Sequence, residues 1–232
     1  MAKLARSEFA ASASPRHGEK EAAAEKRPVA EPAPSLVADQ FMRIAQQVFL
    51  SRMQPVQTIV FCGASAGVGC TWACLKIAEA LARMTTDPIC LVDANLRAPS
   101  LHTSFGVGRA PGFSDFLTQT GNARFFATAP NVKNLWLLPA GNRVPNPESL
   151  FVTGNFLARV AQLTEEFRFV LIDSGTGPDP ANFATTANGA ILVVDAKTTR
   201  RDEAQRVKRN LQAVHLPLLG VVVNRTDWKA PR

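Results

Sequence analysis

The chain has 232 residues, 46% of them hydrophobic, and carries 26 Lys and Arg against 19 Asp and Glu, for a net charge of +7. That length suits one medium domain with a substantial core. No stretch approaches the roughly 18–20 apolar residues of a spanning helix and the start lacks a signal-type apolar core, so a cytoplasmic protein is expected; four cysteines without Cys-x-x-Cys or His spacing argue against zinc and against a disulfide framework.

Residues 1–35 are rich in Ala, Pro, Glu, Lys and Ser, with few anchors beyond Leu4 and Phe9. They read as a disordered arm before a domain over 36–232. The basic Lys3, Arg6, Arg16, Lys20, Lys26 and Arg27 nearly cancel the acidic Glu8, Glu19, Glu21, Glu25 and Glu31. Most of the positive charge therefore belongs to the domain. A leading helix is predicted over 36–53, then strands over 57–62, 88–93, 134–139, 169–173, 190–195 and 218–223. Helices are predicted over 71–84, 112–119, 148–166, 179–187 and 199–214. Short apolar runs alternating with helices predict an α/β fold, a mostly parallel sheet with helices on both faces. The helix at 148–166 has a clear start: Asn146 as cap, Pro147 at the first position and Glu148 in the first turn.

The apolar run 58–62 feeds Ala64-Ser65-Ala66-Gly67-Val68-Gly69-Cys70-Thr71 and then a helical pattern. A phosphate-binding P-loop asks here for Gly, four residues, then Gly-Lys-Ser/Thr. Gly69 and Thr71 fit, while Ala64 stands for the first Gly and Cys70 for the Lys. A strand, a Gly-rich turn and a helix N-terminus still make an anion site from backbone N–H groups and the helix dipole. The ammonium that reaches the β- and γ-phosphates is missing. A plain tight turn would use Gly67 and Gly69 equally well.

Two later segments favour the phosphate reading. Ile89-Cys90-Leu91-Val92-Asp93 and Phe169-Val170-Leu171-Ile172-Asp173 each end an apolar strand on a carboxylate, and Arg97 follows the first. Strand C-termini are where parallel sheets bind ligands, and Asp93, Asp173 and the Thr71 hydroxyl form a candidate Mg²⁺ shell. The alternative is that both Asp residues cap helices or turns. Cys62 and Cys90 lie inside strands and are expected to be buried. Cys70 at a helix N-terminus could have a lowered pKa and be redox-reactive; an inert replacement explains it as well. The helix at 199–214 bears Arg200, Arg201, Arg206, Lys208 and Arg209, which suits a solvated face, an anionic membrane surface or an acidic partner. Nucleic acid is not expected, because no Phe is interleaved with these charges.

The order Gly-Val-Gly-Cys-Thr, Leu-Val-Asp-Ala-Asn-Leu-Arg-Ala-Pro-Ser-Leu-His (91–102), Pro-Gly-Phe-Ser-Asp-Phe-Leu (111–117), Asn-Leu-Trp-Leu-Leu-Pro-Ala-Gly (134–141) and Pro-Asn-Pro-Glu-Ser-Leu (145–150) resembles the bacterial tyrosine autokinases of capsule and exopolysaccharide assembly. The likeness runs from about 36 to about 228, through the Asp173 strand and Gly220-Val221-Val222-Val223-Asn224-Arg225. It implies a P-loop NTPase fold of the Min/Par superfamily, ATP or ADP with Mg²⁺ at Gly67, Val68, Gly69, Cys70 and Thr71, and Asn224 and Arg225 near the base. It also gives Asp93, Arg97 and Asp173 catalytic or vestigial roles. The departures are specific: Cys70 for Lys, Asn95 for a second Asp, and Gly175 where the family usually has Pro. Asp39, Met42 and Ala45 stand where the family's Glu-x-x-Arg-x-x-Arg mediates subunit contact, and the chain contains no Tyr.

The expectation is a degenerate autokinase-like protein with weakened ATP chemistry, acting as a regulatory or scaffolding subunit against a membrane polysaccharide chain-length co-polymerase and reaching the membrane through it. An alternative is an active protein kinase or weak Mg-ATPase in which Arg97 or a partner's cation replaces the Lys. A third is a positioning ATPase of the Min/Par type, disfavoured because its signature lysine is Ser65 here.

Overall fold

The computed structural model describes residues 34–51, 56–118, 126–129, 132–176 and 180–226. The arm expected over 1–35 lies outside them except for its last two residues, which open the first helix. Seven strands, β1 (Thr58–Gly63), β2 (Ile89–Asp93), β3 (Ala127–Ala129), β4 (Val132–Leu138), β5 (Phe169–Gly175), β6 (Gly189–Asp195) and β7 (Leu218–Asn224), form one sheet in the order β3-β4-β2-β5-β1-β6-β7. All neighbours pair in parallel except β3, which runs antiparallel to β4. β1, β2 and β5 are buried along their whole length, which is why their sequences are continuous apolar runs.

Six helices cover the two faces: α1 (Pro34–Ala45), α2 (Cys70–Met84), α3 (Leu101–Phe105), α4 (Phe113–Thr118), α5 (Gly154–Glu166) and α6 (Arg201–Ala213). On one face α1 and α2 seal the sheet, with Ala45, Ile77 and Leu81 against Ile59, Leu91 and Leu171. On the other, Phe116, Phe156 and Leu163 of α4 and α5 meet Val92, Val170 and Ile172. Leu211 of α6 closes a smaller cluster with Cys62 and Leu192. From β1 the chain crosses to β2 on one side of β5 and later reaches β6 on the other, so the strand order reverses beside β1 and β5. The carboxyl ends of those strands are where such a sheet leaves a crevice for ligands.

Several predicted elements differ. The predicted helix 148–166 is divided: a 3₁₀ turn at Pro147–Val152 precedes α5, because Thr153 is extended at φ −77° and ψ 145°. Asn146 caps through its carbonyl, which accepts the Ser149 hydroxyl at 2.7 Å, and not through its side chain. The predicted helix 179–187 is a 3₁₀ turn at Pro180–Phe183. The leading helix ends at Ala45 and continues as one π turn, Gln46–Leu50; residues 52 and 53 lie outside the described residues.

The Pro-Gly-Phe-Ser-Asp-Phe-Leu motif is structural. A Cβ on Gly112 would fall 2.1 Å from the Pro139 carbonyl oxygen, so only glycine allows α4 to start against the end of β4. Buried Asp115 then stitches the two segments: Oδ2 accepts the amides of Gly112 at 2.9 Å and Asn142 at 3.0 Å, and Oδ1 accepts Asn142 Nδ2 at 2.7 Å. Asp115→Ala would leave three donors unpaired and is expected to cost about 3–5 kcal/mol in chemical denaturation. A loss below about 1 kcal/mol would show that water replaces the carboxylate there.

Candidate functional site

The turn at 64–69 joins β1 to α2. Gly67 and Gly69 hold φ of 76° and 88°, the left-handed region that lets the chain reverse and open a helix at once. At Gly69 a Cβ would also lie 2.3 Å from Asn224 Nδ2. That amide donates to the Val68 carbonyl at 2.9 Å, so the end of β7 holds the turn from beneath. The N-terminus of α2 borders a cleft of about 350 Å³, lined among others by Gly67, Gly69, Thr71, Trp72, Asn95 and Thr176. A helix end of this kind presents unpaired N–H groups and positive potential to an anion.

Asp93 and Asp173 are directly paired across β2 and β5, and both are fully buried. Asp93 Oδ2 accepts the amides of Ser100 at 3.2 Å and Leu101 at 3.1 Å, while Asp173 Oδ1 accepts that of Gly175 at 3.0 Å. The other oxygen of each, Asp93 Oδ1 and Asp173 Oδ2, is sealed from water without a full hydrogen bond. Burial, then the neighbouring Asp173, pushes Asp93 up to about 7 against the pull of its amide donors. Burial also raises Asp173, with the Thr71 hydroxyl, the Gly175 amide and the Cys70 thiol drawing it partly back.

Cys70 occupies the place of the P-loop lysine. Its thiol is buried, and desolvation followed by the charge of Asp173 drives its pKa well above the ordinary thiol value. The reactive, low-pKa thiol considered from sequence is therefore corrected: the helix dipole is outweighed by burial and by the charge of Asp173. Cys74, one turn on, is raised by burial, then by Asp173 and Asp93. Cys62 and Cys90 are buried as expected.

The remaining sequence-chosen residues are distributed unevenly. Asn95 borders the cleft, but its side chain closes its own turn, donating to the Ala98 carbonyl at 3.0 Å. Arg97 points elsewhere and ion-pairs with Glu148 in a separate depression. Arg225 folds onto Asp195 Oδ2 at 2.6 Å, with φ at 54°, so it locks β7 to β6. Asp195 was not singled out from sequence, although Leu192-Val193-Val194-Asp195 repeats the strand-end carboxylate pattern. Its pKa is lowered by the Lys197 amide first and by Arg225.

The donor set fits a hard divalent cation: two orphaned carboxylate oxygens with the Thr71 hydroxyl beside them. The turn fits a phosphate chain through backbone, without a side-chain cation of its own.

No protein-family model matches the chain. It is 25% identical over 196 residues to the tyrosine-protein kinase YwqD of Bacillus subtilis, covering 82% of this chain and 81% of that one. Over 166 residues it is 27% identical to the tyrosine-protein kinase CpsD of Streptococcus pneumoniae, covering 69% and 72%. Its relatives are bacterial tyrosine kinases. The VpsO kinase domain superposes with a TM-score of 0.71 at 25% identity, covering 83% of this chain and 97% of that chain. A ParA family ATPase from Chlorobium tepidum, 14% identical, shares the fold at a TM-score of 0.63, covering 75% and 76%. The kinase relatives and this chain thus share the ParA-like P-loop fold.

An acid whose pKa is raised on folding stabilises the protein while protonated, and that contribution is lost as pH rises through the folded value. Stability in metal-free buffer is therefore expected to fall between about pH 4 and pH 8, by about 3–5 kcal/mol in total. Asp93→Asn should flatten the fall. An unchanged slope in Asp93→Asn would place the titrating group elsewhere.

Proposed function

We propose that this chain is a P-loop domain of the bacterial tyrosine-kinase type that has lost tyrosine autokinase chemistry and acts as a regulatory subunit in capsule or exopolysaccharide assembly. The observation that carries the reading is Cys70: the turn, the helix end and both strand-tip carboxylates are kept, while a buried thiol stands where the phosphate-binding ammonium belongs. Residues 36–232 act in this reading as one nucleotide-responsive unit. The amides of Gly67 to Thr71 hold phosphate oxygens, and Asp93 Oδ1, Asp173 Oδ2 and the Thr71 hydroxyl hold Mg²⁺. Bound there, Mg²⁺ neutralises phosphate charge. Asn95 adds no carboxylate to accept a proton or help hold the cation. This chain also offers no tyrosine hydroxyl to receive a phosphoryl group.

The partner in this reading is a separate membrane co-polymerase subunit. No helix among the described residues is long and apolar enough to cross a membrane. Self-association through α1 is disfavoured, because Ala45 is fully buried against the core and Met42 packs beside it. The exposed cations of α6 supply a basic surface for an acidic partner face.

Nucleotide binding is expected to be weak and to discriminate little between ATP and ADP. A charge-assisted phosphate contact is worth about 1.5–3 kcal/mol, so Cys70→Lys should raise ATP affinity roughly ten- to a hundred-fold by calorimetry. Equal affinity in the two proteins would remove the basis of the proposal. Phosphate release by Cys70→Lys alone should stay near background, and rise only when Asn95→Asp is added. Brisk turnover by the single variant would show that the second carboxylate is dispensable.

A further inference from the structure

A second cleft, of about 440 Å³, adjoins the first, and the two share Ser65, Gly175 and Thr176 as a common border. Its far wall is α6. That helix is anchored by Ala204, Val207 and Leu211 in the cluster with Cys62 and Leu192, which fixes its rotation. Arg206 and Asn210, four residues apart, consequently share one flank, and both line the cleft. Among the described residues, the side chains of Ser65, Arg206 and Asn210 make no hydrogen bond or ion pair. Arg97, Arg200 and Arg225 by contrast are committed to Glu148, Asp202 and Asp195. Among the described residues no carboxylate lines the cleft, and the small residues Gly63, Ala64, Ala66 and Gly175 form part of its wall.

We propose that this cleft is a phosphoryl site, in which Arg206, with Asn210 and Ser65, receives the end of a phosphate chain that starts in the cleft at the N-terminus of α2. Arg206 thereby supplies from α6 the positive charge that Cys70 does not. The inference rests on the reading of the α2 cleft as a phosphate site. The chemistry fits: a guanidinium offers a planar fork to two phosphoryl oxygens, while the Asn amide and Ser hydroxyl add neutral donors. The ligand class is a nucleoside di- or triphosphate, or free pyrophosphate. AMP, with a single phosphate, has no chain to extend from one cleft into the other.

The test is calorimetry on the full chain with inorganic pyrophosphate, ATP and AMP, comparing the natural protein with Arg206→Ala, Arg206→Lys and Lys208→Ala. Arg206 is exposed and makes no side-chain bond among the described residues, so its replacement should leave the fold intact, which thermal unfolding checks. Arg206→Ala should weaken pyrophosphate and ATP binding about ten- to a hundred-fold, with AMP unchanged and Arg206→Lys in between. Lys208→Ala, which removes the same charge from the same helix outside the cleft, should change neither. Equal pyrophosphate affinity with and without Arg206, equal losses from Arg206→Ala and Lys208→Ala, or no pyrophosphate binding by the natural protein would each overturn the proposal. ATP binding that ignores Arg206 would leave the nucleotide reading standing and remove this one. Arg206-dependent pyrophosphate binding without any ATP binding would do the reverse.

Discussion

Two carboxylates, Asp93 and Asp173, face each other in a buried position at the paired tips of β2 and β5. Neither can be moved without breaking the parallel register that runs through the centre of the sheet, and like charges so placed do not both ionise without a counter-charge. One proton or one cation has to be present. The surrounding groups are arranged around that need. Amides from Ser100, Leu101 and Gly175 satisfy one oxygen of each carboxylate and leave the other open. In a P-loop with lysine, an ammonium would stand beside this pair; here Cys70 and Cys74 add thiols that stay protonated. The pair therefore depends on protons or on an added divalent cation.

The turn above the carboxylates is held by neutral contacts. Asn224 binds the Val68 carbonyl, and Gly69 exists as glycine partly because that amide occupies the space of a Cβ. Two arginines in the quoted motifs serve the frame: Arg97 fastens the β2 turn to Glu148, and Arg225 fastens β7 to β6 through Asp195. Positive charge close to the turn comes from α6, an element whose sequence suggested a surface patch. In the proposed reading the site is an anion cradle built on backbone, with its cation supplied by a neighbouring helix and not by the loop.

The central strands were legible because burial on both faces leaves a continuous apolar run, and Asp93 and Asp173 stood out against it. β3 was not, since Ala127-Thr128-Ala129 has neither length nor apolar contrast and is placed by β4. The 148–166 segment kept one apolar pattern across Thr153, and periodicity alone does not register a single extended residue. The turn glycines and Cys70 were found from spacing. What spacing did not give is direction: the sequence marks Arg97 and Arg225 as charged residues near strand ends, and only packing shows that their guanidinium groups turn toward Glu148 and Asp195. Arg206 was hidden for the same reason, as one cation among four on a helix whose rotation is set by Val207 and Leu211.

The dependence of the carboxylate pair on an outside charge is most directly measured by carbon-detected NMR of the Asp93 and Asp173 carboxyl signals. The titration runs from about pH 5 to about pH 9, with and without Mg²⁺. One shared proton should be retained at the acid end and released near pH 7, the value to which Asp93 is raised, with Mg²⁺ moving the release to lower pH. Two carboxylates ionised across the whole range and indifferent to Mg²⁺ would contradict it.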